Sequence, residues 1–109
     1  MRILFFDLEY ASCKNGCKIC EFGYVITNEK FEIIERNNLI INPYISNDEW
    51  DWWALKHILT RTKKEYEERL TFNKYYPKIK EMIESCEYVL GHSLNNDAKA
   101  LNDDCKRYN

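Results

Sequence analysis

The chain has 109 residues, 45% of them hydrophobic, which is enough for one core and most simply one domain. Its net charge is -2, with no basic tail to advertise nucleic acid, although a metal-dependent nuclease holds phosphate through its cation. No apolar run approaches membrane-spanning length and the N-terminus lacks a basic-then-apolar leader. The five cysteines, an odd number, are expected as reduced thiols, so composition predicts a soluble, cytoplasmic protein with no membrane partner.

The first element is set by Ile3-Leu4-Phe5-Phe6, four apolar residues with no helical period, which predict a buried central strand. Asp7 and Glu9 follow at its end, and a polar loop is expected from Tyr10 to Cys17 around Asn15-Gly16. Lys18 to Thr27 alternates, with Cys20, Phe22, Tyr24 and Ile26 on one face and Ile19, Glu21, Gly23 and Val25 on the other, as a second strand does. Asn28-Glu29-Lys30 connects it to a third, Ile-rich strand from Phe31 to Ile41, expected to bend near Asn37-Asn38 and to stop at Asn42-Pro43. Strands so closely joined pair antiparallel, so the first three form a meander.

Helices come next. Ser46-Asn47-Asp48-Glu49 has the pattern of a capping box, and Trp50, Trp53, Ala54, His57 and Ile58 recur at helical spacing. The expectation is a helix of about three turns with a buried aromatic stripe; Trp52 falls off that stripe and is the candidate for an exposed partner surface. Thr62-Lys63-Lys64-Glu65 repeats the box and opens a second short helix to about Arg69. A third, near Tyr75 to Ser85, buries Tyr76, Ile79, Met82, Ile83 and Cys86, with Pro77 in its first turn. Glu87-Tyr88-Val89-Leu90 is a short strand ending at Gly91-His92. The last helix runs from about Asn95, with Leu94, Ala98, Leu101, Cys105 and Tyr108 as its buried stripe. Three strands, helices, a strand and a helix predict an α/β domain, a mixed sheet with helices packed on it.

Asp7 and Glu9 carry the chemistry. Residues i and i+2 of a strand share a face, and two carboxylates that close repel each other unless a cation or a proton lies between them. Mg²⁺ accepts such ligands, one or two carboxylates together with substrate phosphates. The plain alternative is that one acid meets solvent where the strand frays. Asp97 sits in the first turn of the last helix, where the helix dipole alone favours an acid. It faces the tip of the first strand if the first and fourth strands are neighbours, and ligands of open α/β sheets sit beyond strand ends.

Phe6-Asp7-Leu8-Glu9 followed by Glu21-Phe22-Gly23-Tyr24-Val25 resembles the first motif region of the DEDD, or DnaQ-like, 3′–5′ exonuclease superfamily. Gly91-His92-Ser93-Leu94-Asn95-Asn96-Asp97, with Leu101 beyond it, resembles the second motif, and His57-Ile58-Leu59-Thr60 the short Ile-x-Thr stretch before the family's middle helices. The resemblance spans nearly the whole chain in the right order. It implies an RNase H-like fold over residues 1–109, a single exonuclease-like domain forming the N-terminal portion of the family fold. It also implies hydrolysis of DNA or RNA from a single-stranded 3′ end, with two Mg²⁺ or Mn²⁺ ions held by acids. Asp7 would bridge both ions, Glu9 bind one and Asp97 the other; Tyr10, Ala11, Ser12 and His92 would lie by the terminal nucleotide, with Tyr10 stacking on it. His92 is otherwise read as a structural histidine bonded to backbone. The family's third motif, a His or Tyr followed five residues later by Asp, lies on a helix beyond the one that carries Asp97, and this sequence stops at Asn109 before such a helix. The resemblance thus implies a truncated member, inactive or weakened: a fragment, a split gene product or a degenerate relative. The alternative is a non-catalytic nuclease-fold module that binds nucleic acid or a protein. A chain ending there exposes apolar sheet, so a homodimer is a further expectation.

Two further signals compete. Cys13, Cys17 and Cys20 have the spacing of the radical-SAM iron–sulfur motif, or with a fourth ligand of a zinc site, or are incidental thiols in a loop and a strand. Lys63-Lys64 and Lys78 with Lys80 read as solvated faces.

Overall fold

The computed structural model describes residues 1–91 and 94–108, with Leu94 described by its backbone. Four strands form one sheet: β1 (Ile3–Ser12), β2 (Lys18–Thr27), β3 (Ile33–Ile40) and β4 (Tyr88–Gly91), in the order β3-β2-β1-β4. The first three are antiparallel, and β4 lies parallel to β1, with Phe5 opposite Leu90 and Phe6 opposite Gly91. Helices α1 (Trp52–His57), α2 (Lys63–Glu67), α3 (Phe72–Ser85) and α4 (Leu94–Arg107) complete an α/β chain. No helix among the described residues is long and apolar enough to cross a membrane.

The main core lies between one sheet face and helices α3 and α4. Leu4, Phe6 and Leu8 of β1 and Phe22, Tyr24 and Ile26 of β2 meet Phe72, Ile79, Met82 and Ala100 there, with Phe6 stacked on Phe22 at 5.4 Å between ring centres. A smaller core, on Ala11, Cys20, Ile40, Trp50 and Tyr66, closes the far end. The expected alternation of β2 holds from Glu21 onward and breaks at Cys20. Glu9 pairs with Glu21 but Tyr10 pairs with Ile19, so Cys20 is the extra residue of a bulge. Ile19 therefore joins Phe22 in the main core while Cys20 turns to the smaller one.

Several expectations need correction. Tyr10, Ala11 and Ser12 are not loop: β1 runs to Ser12, and Ala11 and Ser12 are buried. β3 does not bend at Asn37 and Asn38, which pair regularly with Tyr24 and Gly23. Ser46 makes no side-chain cap, because Glu49, which the capping box requires, forms an ion pair with Lys18 at 3.3 Å; Asn47–Glu49 is a single 3₁₀ turn. The helix begins instead at Asp51, whose carboxylate accepts the Ala54 N–H at 3.1 Å. It is six residues long, and only Ala54 within it is buried. Trp50 packs inside ahead of the helix, whereas Trp53, His57 and Ile58 are exposed. The second capping box is present in full: the Thr62 hydroxyl takes the Glu65 N–H and the Glu65 carboxylate takes the Thr62 N–H.

Helix α3 starts at Phe72, whose ring is buried, one turn earlier than expected, so Pro77 falls inside it. The hydrogen bond that Pro77 cannot give would have gone to the carbonyl of Asn73, an exposed residue. Tyr76 is exposed rather than buried. On α4 the fully buried row is Asp97, Ala100 and Asp104, while Ala98 is exposed and Leu101, Cys105 and Tyr108 are half-buried. Cys13 and Cys17 are joined as a disulfide, against the expectation of reduced thiols, and Cys20 is buried away from solvent; no three-thiol metal site forms.

Candidate functional site

β1 puts Asp7 and Glu9 on one face, as the strand period predicts, but within the strand rather than at its end, because β1 runs on to Ser12. Pleating puts Leu4, Phe6, Leu8 and Tyr10 toward α3 and α4, which leaves Asp7 and Glu9 on the opposite face. That face is uncovered at Asp7, which is exposed, and half-covered at Glu9. Across the sheet Asp7 stands opposite Gly23 and then Asn38, while Glu9 stands opposite Glu21 and then Ile40. Gly23 offers no side chain between Asp7 and Asn38, and a Cβ built there would come to 3.5 Å from the Asn38 Oδ1. The acids thus border a shallow recess floored by backbone.

The electrostatics separate the two glutamates. Burial raises the Glu9 pKa above the usual carboxylate range, and Asp7, Glu21 and Asp97 raise it further. Every neighbour acting on Glu9 is an acid. Burial also acts to raise Glu21, but the Tyr66 hydroxyl, the Asn38 amide at 2.8 Å, and the Thr60 N–H and hydroxyl at 3.2 and 3.0 Å outweigh it and hold the carboxyl low. Sequence reading passed over Glu21 as one alternating strand residue; nothing local to it signals donors that arrive from Asn38, Thr60 and Tyr66.

Asp97 is buried in the first turn of α4, on the helix side of the sheet. Its Oδ1 accepts the Tyr10 hydroxyl at 2.8 Å. Its Oδ2 is buried without a hydrogen-bond partner among the described residues, and lies 3.3 Å from where a Cβ on Gly91 would sit. Burial first, and then the Asp97 carboxylate, push the Tyr10 hydroxyl's pKa up. Tyr10, expected to stack on a nucleotide, is packed against the main core with its hydroxyl on Asp97. Asp7 and Glu9 thus lie in the middle of β1 on one sheet face, and Asp97 approaches from the other. Among the described residues no three His, Cys, Asp or Glu side chains gather closely enough to hold a metal ion. His92 lies outside the described residues.

The segment after β3 frames the open side. The Asp51 N–H donates to the Ala11 carbonyl at 2.8 Å, and Thr60 bonds Glu21, so α1 is tied at both ends to the strand positions flanking Glu9. On the other side of the β1–β2 loop a cleft of about 510 Å³ opens between Gly16, Lys18 and the Lys99, Asp103 and Arg107 side of α4; it holds none of the three acids. No protein-family model matches the chain, and no curated protein matches it.

Proposed function

We propose that the chain is an RNase H-like, DEDD-type domain whose chemistry is metal-dependent 3′–5′ hydrolysis of nucleic acid at Asp7, Glu9 and Asp97. The observation that carries this reading is the pair of acids on one face of β1, where Glu9 has acids as its charged neighbours and Asp7 stands exposed beside it. Like charges held together on a rigid strand are the donor set that a hard divalent cation accepts. The order β3-β2-β1-β4, with β4 parallel to β1, supports the fold assignment, because β4 ends opposite Phe6 and so leads into α4 next to Asp7.

Asp7 and Glu9 fit Mg²⁺ or Mn²⁺ by chemistry and by placement on one face. Asp97 fits by chemistry, and its Oδ2, without a hydrogen-bond partner among the described residues, is the oxygen that would serve. A divalent cation there would neutralise phosphate charge and lower the pKa of an attacking water. The chain's own residues do the rest. Asp7 presents its carboxylate to solvent, where a phosphodiester arrives. Gly23 leaves room opposite it for a sugar–phosphate backbone. Tyr10, through its hydroxyl, orients the Asp97 carboxylate. Glu21, fully occupied by its donors, stays out of the ligand set and fixes the adjoining strand.

A second reading is a non-catalytic module of the same fold that binds a nucleic acid or a protein. The specific observation in its favour is the Tyr10 bond to Asp97, which holds the third acid on the helix side. Calorimetric titration of Mn²⁺ into the parent, Asp7→Asn and Asp97→Asn separates the two. The enzyme reading expects binding that both substitutions abolish. Absence of binding in the parent would overturn it in favour of the module.

A further inference from the structure

We infer that α1 and the turn after it form a stacking platform for an unpaired nucleic-acid strand, with Trp52 and Trp53 as the base-contacting residues. Water is a poor surrounding for indole, yet Trp52 is 60% and Trp53 63% exposed, both on a helix of six residues. The exposure is imposed by the fold. Trp50 fills the smaller core just ahead of the helix, and within the helix Ala54 is buried and Leu55 packs against that core, which leaves the other two rings outside. Trp53 is further ordered by the His57 ring, 4.8 Å away between centres. Two aromatic faces turned to solvent, one of them packed on His57, suit a planar, polarisable ligand.

Charge selects which ligand. From Trp52 to Lys64 the sequence reads WWALKHILTRTKK, with Lys56, Arg61, Lys63 and Lys64 and no acid, in a chain whose net charge is -2. Lys63 is engaged by Glu67 at 3.0 Å, whereas Lys56 and Arg61 are exposed and Lys64 has only a 4.0 Å approach from the exposed Glu68. Aromatic faces interleaved with cations match the base faces and phosphates of a single strand, DNA or RNA. A duplex hides its base faces and satisfies only the cations. A protein partner would use the rings but has no need of an acid-free run.

Position completes the argument. Because Asp51 is bonded to Ala11 and Thr60 to Glu21, α1 is fastened at both ends beside Glu9. Bases stacked on α1 would have their backbone led toward the recess at Asp7 and Gly23. The inference rests on the nuclease reading for where the strand leads, and on Trp52 and Trp53 alone for the contact.

The test is anisotropy of labelled oligothymidylate and oligouridylate of about ten nucleotides, against a blunt duplex, in chelator so that metal plays no part. Parent, Trp52→Ala/Trp53→Ala and Trp52→Phe/Trp53→Phe are compared. The expected result is that the parent prefers either unpaired strand to duplex by tenfold or more. The alanine pair loses about tenfold to hundredfold in strand affinity and the phenylalanine pair keeps most of it. If the alanine pair does not fold, quenching of exposed indole emission on adding strand to the parent decides in its place. Equal affinity for duplex, no strand binding by the parent, or a folded alanine pair that binds like the parent would each overturn the inference. Strand binding without Mn²⁺ binding would leave this platform standing and remove the nuclease; Mn²⁺ binding without strand binding would do the reverse.

Discussion

Glu9 and Glu21 face each other across β1 and β2 on the same side of the sheet, yet their surroundings have opposite character. Around Glu21 the Tyr66 hydroxyl, the Asn38 amide and two groups of Thr60 converge, and the carboxylate anchors the segment after α1. Around Glu9 stand Asp7, Glu21 and Asp97. One half of the pair has its charge spent on holding the structure; the other has its charge unspent. An acid with donors around it is architecture, and an acid with acids around it is a place for something to bind.

Breaking the Glu21 side has the largest effect. Glu21→Ala strands the buried Tyr66 hydroxyl and the Thr60 donors, and is expected to lower stability by about 3 kcal/mol in urea unfolding. The same change at the other end works in the other direction. Glu9→Gln removes a like charge directly opposite Glu21 and is expected to stabilise the metal-free protein by about 0.5 kcal/mol at neutral pH.

The pH dependence sharpens the contrast, because the two shifts have opposite signs. Glu21's folded pKa lies below its ordinary 4.5, so its stabilisation is present above 4.5 and is lost as pH falls through the folded value. Glu9's folded pKa lies above 4.5, so its neutral form costs nothing at acid pH and its ionised form destabilises as pH rises past 4.5. Unfolding followed against pH should therefore show the Glu21→Ala deficit shrinking below pH 4.5, and the Glu9→Gln advantage growing above it.

The smallest effect is expected at Gly23. A methyl group there meets the Asn38 Oδ1 at 3.5 Å, an ordinary contact, so Gly23→Ala should leave stability within about 0.5 kcal/mol of the parent. It fills the recess beside Asp7. Unchanged unfolding with weakened strand binding would tie that recess to the ligand rather than to the sheet.

Much of the frame is legible in the sequence because it follows from period and adjacency. Ile3 to Phe6 and the alternation from Glu21 to Ile26 suffice for the central strands, short connections force the meander, and Thr62 with Glu65 marks a helix start that the structure keeps. What the sequence hides is competition for a side chain from far along the chain. Ser46 and Glu49 read as a capping box until Lys18, some thirty residues earlier, claims Glu49. Asp97 reads as a helix-dipole acid or a metal ligand until Tyr10 claims it, and Asp104, which no spacing singles out, is claimed by Ile19 from the opposite layer. At the site, the face shared by Asp7 and Glu9 is readable from the strand period alone. The side from which Asp97 approaches depends on Tyr10, and no spacing rule contains it.

The bond between Asp104 and the Ile19 N–H has a consequence for how the protein assembles. At 2.9 Å and fully buried, it joins residues 85 apart, and it holds the strand position next to the Cys20 bulge. The β1–β2 hairpin therefore does not hold its bulged register by local contacts alone; it waits for α4, which is made long after it. Until then the chain emerges with a slippable hairpin, and the step that commits it is a long-range closure, slower than the helix formation around it.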